Sequence, residues 1–202
     1  MFFNKYFFIL LIIFLLPIHF GLGIYIYLSH DLPTTEDVRN VELQVPLKIF
    51  TSDGKLIGEY GEIHRTKLNF NEIPENLINA FLAAEDSDFF THTGVDFLSL
   101  LRATYQYIKE GEIISGGGTI TMQVARNYVL TKDQTFERKL KEIFMAFKLD
   151  LSFTKEEIFE LYVNQIFLGN RAYGVAAASE IYYGKGLSCL LYTSPSPRDS
   201  RR

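Results

Sequence analysis

Chemistry is concentrated in the stretch Ala83-Ala84-Glu85-Asp86-Ser87-Asp88-Phe89-Phe90-Thr91-His92-Thr93-Gly94, where carboxylates, aromatic rings and an imidazole follow directly on an apolar helical pattern. A carboxyl group at a helix end between alanines and phenylalanines is expected to be partly desolvated, which raises its pKa toward values useful in proton transfer. Glu85 is therefore a candidate general base. The plainer alternative is that Glu85 and Asp86 form a solvated helix end and that His92 is a satisfied buried imidazole. Glu142 supplies a second carboxylate. Paired carboxylates are the usual apparatus of glycosyl chemistry, although spacing in sequence does not bring these two together.

Two further stretches carry chemistry. Gly116-Gly117-Gly118-Thr119-Ile120-Thr121-Met122-Gln123 offers backbone amides, two hydroxyls and a carboxamide, a combination that can wrap an anionic or sugar ligand. It is not a phosphate-binding P-loop, because no Gly-Lys-Ser/Thr follows. Arg138 and Lys139 precede Glu142, and cations beside a diphosphate leaving group stabilise the charge that develops as its bond breaks. The alternative for such a run is an exposed helix face. Asp53 lies in Ser52-Asp53-Gly54 and is explained by turn chemistry. Cys189 is the one cysteine, so no internal disulfide framework exists.

These residues need a scaffold, and the chain is long enough to build one. Its 202 residues are 48% hydrophobic and 22% charged, which excludes a disordered chain, and a net charge of −4 argues against a nucleic-acid binder. Phe7 to Leu28 carries no formal charge and is about twenty residues long, the length that spans a bilayer core as a helix. It is too long for a cleavable signal and is followed by no small-x-small site. The expectation is an uncleaved anchor over 1–28. Lys5 before it and Asp31, Glu36 and Asp37 after it favour an N-in orientation. His19 is either a functional intramembrane group or one that faces a partner or water. Residues 29–43 are polar and lack periodicity, and read as a stalk.

The Asp-Gly turn between alternating segments predicts a hairpin in Leu47–Tyr60. Pro74 opens a helix that delivers Glu85 at its end, with Leu77, Ile78, Phe81 and Leu82 at helical spacing. A second helix covers residues 96–109, with Phe97, Leu100, Leu101 and Tyr105 on its apolar side, and the stretch from Tyr105 to Ile114 is expected to dip into the membrane interface. A third runs from Thr119 to Tyr128. The clearest amphipathic helix, over residues 135–153, has Leu140, Ile143, Phe144, Phe147 and Leu151 as its buried stripe and Arg138 and Glu142 on a different face. Thr154 and Glu157 form a capping box for the next helix, and a small-residue helix follows near Val175. After Leu187 the pattern gives way to Ser, Pro and Arg, and residues 188–202 read as a foreign or frameshifted tail in preference to a native disordered one.

Taken in order, these stretches resemble the peptidoglycan glycosyltransferase domain (glycosyltransferase family 51) of class A penicillin-binding proteins. Glu85, Asp86, Phe89, His92 and Gly94 match its first motif, Glu-Asp-x-x-Phe-x-x-His-x-Gly. Gly116 to Gln123 match the second, Gly-Gly-Ser-Thr-Ile-Thr-Gln-Gln, with Gly118 in place of serine and Met122 in place of the first glutamine. Arg138, Lys139 and Glu142 match the third. Lys155, Glu160, Tyr162 and Asn164 fall in the fourth, and Ala172 to Lys185 resemble the fifth. The likeness spans the anchor to about Gly186.

The resemblance implies a mainly α, lysozyme-like helical domain over 44–187, with a short β-hairpin at its start and one transmembrane helix before it. It implies the polymerisation of lipid II into glycan, with inversion and release of polyprenyl diphosphate. Glu85 would be the general base. Lys139 and Arg138 would neutralise the diphosphate, and Glu142 would orient groups or a divalent cation near it. Gln123, Thr119 and Thr121 would line the donor site with Gly117, Arg126 sits where the family has a basic residue, and Asp86, Phe89 and His92 complete the substrate-binding set. Glu160 and Asn164 are expected to be structural. No cofactor is required by the sequence; a magnesium or manganese ion at Glu142 is an option. The expected partners are lipid II, the nascent glycan strand, the membrane and a cell-wall synthesis complex, with no nucleic acid. The expected location is the bacterial cytoplasmic (inner) membrane, single-pass, with the domain outside the cytoplasm. The rival readings are an inactive truncated membrane-anchored fragment or binding module, because the family's domain continues past the fifth motif, and a lysozyme-like lytic enzyme.

Overall fold

The structure is a computed structural model and describes residues 2–30, 32–39, 47–61, 64–111, 117–128, 136–187 and 189. It begins with a long helix, α1, over Phe2–Ser29. Within it, Phe7–Ile24 has a mean hydropathy of 2.6 and no part buried inside the molecule, so it is long and apolar enough to cross a membrane. His19 shares a hydrogen bond with the Leu15 carbonyl at 2.8 Å, which satisfies one ring nitrogen within the helix itself.

The expected stalk is not a featureless tether. Thr35–Arg39 form a short helix, α2, and its Val38 is only 1% exposed, sealed in the main core. The turn is closed by a reciprocal cap. The Asp37 carboxylate accepts from the Thr34 backbone N–H at 2.7 Å, and the Thr34 hydroxyl oxygen accepts from the Asp37 N–H at 3.2 Å. One turn of helix is too short to show periodicity, so its sequence carries no helical signature. Residues 31 and 40–43 of the expected stalk lie outside the described residues.

The predicted hairpin is present. Strand β1, Leu47–Phe50, pairs antiparallel with β2, Leu56–Tyr60, with an irregularity between Ile49 and Phe50. Gly54 takes a left-handed φ of +81°, and its N–H donates to the Thr51 carbonyl at 2.9 Å.

The rest is helical: α3 Glu75–Glu85, α4 Phe97–Glu110, α5 Ile120–Arg126, α6 Phe136–Ser152, α7 Lys155–Gln165 and α8 Val175–Tyr183. The predicted capping box opens α7, with the Thr154 N–H donating to Glu157 at 2.8 Å and the Glu157 N–H to the Thr154 hydroxyl at 3.2 Å. Helices α5, α6 and α7 pack together, and Ile120, Met122, Val124, Met145, Leu149, Phe159 and Val163 have no exposed surface. The architecture is mainly α with a hairpin at its start and one apolar helix before it, as the sequence predicts.

One helix turns differently from its predicted orientation. In α6 the enclosed residues are Lys141, Glu142, Met145, Ala146 and Leu149; Ile143 and Phe147 only flank the core, and Leu151 is 88% exposed. Helix α6 is covered by both α5 and α7, so its inward face carries charge, and a pattern that puts charge outside assigns the wrong face. In α4 the apolar side is largely uncovered by the described residues. Phe97 stacks one side of its ring near Phe147, 5.8 Å between centres, yet Phe97, Leu101 and Tyr105 are 61%, 68% and 66% exposed. Leu98 and Ile108 join them, while Leu100 is half-buried. Residues 112–116, including Ile113 and Ile114 of the expected interfacial stretch, lie outside the described residues, as do residue 188 and residues 190–202 of the expected tail.

Candidate functional site

The site grows from the end of α3. At Asp86 the backbone leaves the helix, with φ −164° and ψ 83°. Glu85, the last helical residue, is left exposed. The expected partial desolvation is absent because this helix end opens onto a cleft of about 430 Å³, lined by Glu85, Asp88, Asp96, Arg102, Gly117 and Gly118 among others. The Gln123 side-chain amide donates to Glu85 Oε2 at 2.8 Å and fixes one carboxylate oxygen.

The neighbours of Glu85 face inward and build the frame. The Asp86 carboxylate, buried, lies 3.0 Å from His92 Nε2 and accepts from the Ile120 N–H at 3.0 Å, at the first turn of α5. The Thr119 hydroxyl donates to the Gly94 carbonyl at 2.6 Å and accepts from the Met122 N–H at 3.1 Å, so it both caps α5 and ties it to the loop after α3. Gly94 has φ +78°, and a Cβ there would sit 2.7 Å from the Ala146 carbonyl oxygen, so only glycine allows the loop to lie against α6. Phe89 is fully enclosed beside Phe159, with the Lys155 ammonium 4.8 Å from its ring centre. That ammonium also donates to the His92 carbonyl at 2.7 Å and pairs with Asp150.

Of the predicted glycine-segment residues, Gly117 packs on α4, where an added Cβ would meet the Leu100 Cα at 3.0 Å. A Cβ added at Gly118 would meet nothing within 4 Å among the described residues, and this residue opens on the cleft. Thr121 is fully enclosed, and its hydroxyl has no hydrogen-bond partner among the described residues.

A second cluster forms where α5 meets α6. Glu142 has no exposed surface, and its Oε1 lies 3.3 Å from both Arg126 Nε and Arg138 Nε, with Oε2 3.4 Å from Lys139 Nζ. The two Oε1 contacts are ion pairs at the long end of contact, and the Lys139 ammonium also donates a long hydrogen bond to Oε2. Among the described residues, three cations face this one carboxylate, so positive charge is in surplus around it. The Arg126 and Lys139 side chains remain 51% and 38% exposed, so that surplus reaches solvent. Glu142 stands behind the cations and holds them from within. This surrounding does not suit a magnesium or manganese ion at Glu142, because cationic groups already occupy both oxygens.

Helix α5 joins the two parts. Gln123, which touches Glu85, and Arg126, which touches Glu142, are three residues apart, about 4.5 Å along the axis. The arrangement therefore sets an oriented, solvent-facing carboxylate beside a positive rim, which is apparatus for taking a proton and holding a departing anion.

Three residues of α7 support this face. Tyr162 packs edge-on against Phe81, one turn before Glu85, at 5.5 Å between ring centres. Its hydroxyl is enclosed without a hydrogen-bond partner among the described residues, and burial, then the Glu85 charge, pushes its pKa well above the ordinary phenol range. Sequence reasoning missed this hydroxyl, since residue type alone does not show that it lies under α3. Glu160 accepts from the Phe70 N–H at 2.9 Å, and Asn164 clamps Leu68 through its N–H at 2.9 Å and its carbonyl at 2.8 Å, so both hold backbone.

A family profile described as Transglycosylase matches residues 53–194. Penicillin-binding protein 1A of Pseudomonas aeruginosa is 54% identical over 168 residues, covering 83% of this chain and 20% of the relative. Penicillin-binding protein 1A of Escherichia coli K12 is 43% identical over 168 residues, with coverage of 83% and 20%. A crystal structure of penicillin-binding protein 1A from Haemophilus influenzae is 33% identical and covers 73% of this chain and 12% of that one, with a TM-score of 0.33. The chain spans about a fifth of the length of the curated relatives it matches.

Proposed function

We propose a reaction on one premise: the chain belongs to the Transglycosylase family. It polymerises peptidoglycan glycan from lipid II. Glu85 takes the proton of the acceptor sugar hydroxyl as that oxygen bonds to the anomeric carbon of the donor strand. The bond from that carbon to the polyprenyl diphosphate breaks, its electrons leave with the diphosphate, and the anomeric centre inverts. Arg126, Arg138 and Lys139 hold the departing diphosphate, and their attraction grows as its charge develops. Glu142 positions those cations. Asp86, His92 and Thr119 act on substrate through the frame they hold.

One observation carries this reading. The exposed Glu85 carboxylate and the cation cluster are attached to the same short helix through Gln123 and Arg126. The test is polymerisation of lipid II by the purified chain in detergent, beside Glu85→Gln. Glycan from the parent and a loss of at least about 100-fold in the variant are expected. Equal rates would refute the assignment of the base, and hydrolysis of finished glycan without polymerisation would replace the reaction.

The membrane is the second participant in this reading. Helix α4 turns Phe97, Leu98, Leu101, Tyr105 and Ile108 to the outside, and an amphipathic helix of this kind lies in a lipid interface. The proposed orientation is N-in at the bacterial cytoplasmic membrane, with the domain outside the cytoplasm. Leu101→Asp with Ile108→Asp is expected to make a fluorophore on α4 shallower in the bilayer without lowering the melting temperature. Unchanged depth would remove α4 from the interface.

A further inference from the structure

A flexible tether would let the domain sample every orientation above the membrane. The segment after α1 does not have the freedom of a tether. Leu32 packs against the core, Val38 is 1% exposed within it, and the Lys148 ammonium of α6 donates to the Pro33 carbonyl at 2.7 Å. The Arg39 guanidinium lies 5.1 Å from the centre of the Phe153 ring, just past the end of α6. Helices α1 and α2 both pack on α6. Only His30 and Asp31 separate the end of α1 at Ser29 from Leu32. A link that short spans at most about 11 Å.

The helix that receives this segment is the one that carries the cations. Lys139 and Lys148 are nine residues apart on α6, about 14 Å along its axis. We propose that residues 32–39 form a latch that fixes the height and tilt of the Arg138–Lys139–Glu142 cluster above the bilayer. Val38 and Lys148 are its positioning residues. The cluster then meets a diphosphate at the level of the lipid headgroups without an orientational search. The diphosphate ligand rests on the proposed function; the rigid attachment of anchor to domain does not.

The test uses the full chain in nanodiscs, with Cys189→Ser and spin labels on Gly23→Cys in α1 and Thr93→Cys in the loop after α3. A Cβ at Gly23 meets nothing within 4 Å, and Thr93 is at least partly exposed, so both sites take a label. One narrow distance distribution is expected. A flexible Gly-Ser insertion between Ser29 and His30, which leaves every latch contact in place, is expected to broaden it. Lys148→Ala is expected to broaden it partly, and serves if the insertion unfolds the domain. An already broad distribution in the parent, or one unchanged by both variants, overturns the latch.

Rate is the second readout. The insertion is expected to slow polymerisation of bilayer-embedded lipid II roughly tenfold, because a misplaced site loses its alignment with the substrate. Polymerisation of a water-soluble short-chain analogue should stay within about twofold, since that substrate needs no fixed height. Equal slowing of both substrates would refute a role in height. A parent chain inactive on both refutes the proposed reaction, and the distance measurement still decides the latch.

Discussion

Replacing Glu142 by Gln separates a residue that acts on substrate from one that holds others in place. The amide keeps the shape of the side chain and removes its charge. Arg126, Arg138 and Lys139 then surround a neutral group at 3.3 to 3.4 Å. Removing one partner of a buried ion pair costs about 3–5 kcal/mol. Arg126 and Lys139 are 51% and 38% exposed and can turn toward water, so roughly half of that range, about 2 kcal/mol, is expected. For a domain of this size each kcal/mol shifts the melting temperature by about 2–4 °C, which gives a fall of about 4–8 °C. The assay is thermal unfolding of the full chain in detergent, followed by circular dichroism. Glu85→Gln is the control. An exposed carboxylate changes stability by no more than about 0.5 kcal/mol, so its melting temperature should match the parent while its polymerisation is lost. An unchanged melting temperature in Glu142→Gln with activity abolished would refute the reasoning, because Glu142 would then act on substrate and not through the cations.

Gly118→Ser restores a hydroxyl where the family motif has serine, into space with nothing among the described residues within 4 Å of the new Cβ. Stability within about 0.5 kcal/mol of the parent is expected, with a KM for lipid II lower by about two- to tenfold, the worth of one hydrogen bond; a raised KM would show that the open space is needed by the ligand. Asp96 caps α4 by accepting from the Leu98 and Ser99 N–H groups at 3.0 and 3.1 Å. The hydrogen bonds of its carboxylate with Ser99 hold its pKa below the usual value of 3.8. A depressed folded pKa gives stability that is present above the unfolded value and lost as pH falls through the folded one. Amide exchange in the first turn of α4 should therefore quicken below about pH 4 in the parent and show no such step in Asp96→Ala; a step that persists in the variant would assign it elsewhere.

Much of this fold is legible from local chemistry. The Asp-Gly turn, the Thr154–Glu157 box and the periodic run before Glu85 each specify their element through contacts within a few residues, and each element forms where it is predicted. What a helix face packs against is not legible in the same way. Alternation of charged and apolar residues says which face of a helix is polar, but not whether that face meets solvent. In α6 the polar face meets Arg126 of α5, so Glu142 is enclosed. In α4 the described residues leave most of the apolar face uncovered, so Phe97 and Leu101 are exposed. The latch is illegible in the sequence because α2 is one turn long, and its stability comes from Val38 and from Lys148, which lies more than a hundred residues away.

The candidate site shows the same limit from the other side. The stretch from Glu85 to Gly94 reads as a single chemical motif, yet its members divide by geometry. Of the five motif residues, Glu85 carries the exposed carboxylate, whereas Asp86 is buried. Asp86 has its carboxylate against His92 and the Ile120 N–H, Phe89 lies in the core, and Gly94 is shaped to fit Ala146. A base must reach the proton it removes, within about 3 Å, and of this group only Glu85 is placed to do so. The others serve the same proton transfer at one remove. They fix the loop to α5, α5 carries Gln123, and Gln123 holds the carboxylate that acts. A substitution at Asp86 would then be felt as disorder at Glu85, because the Ile120 N–H that it accepts from opens the helix on which Gln123 stands.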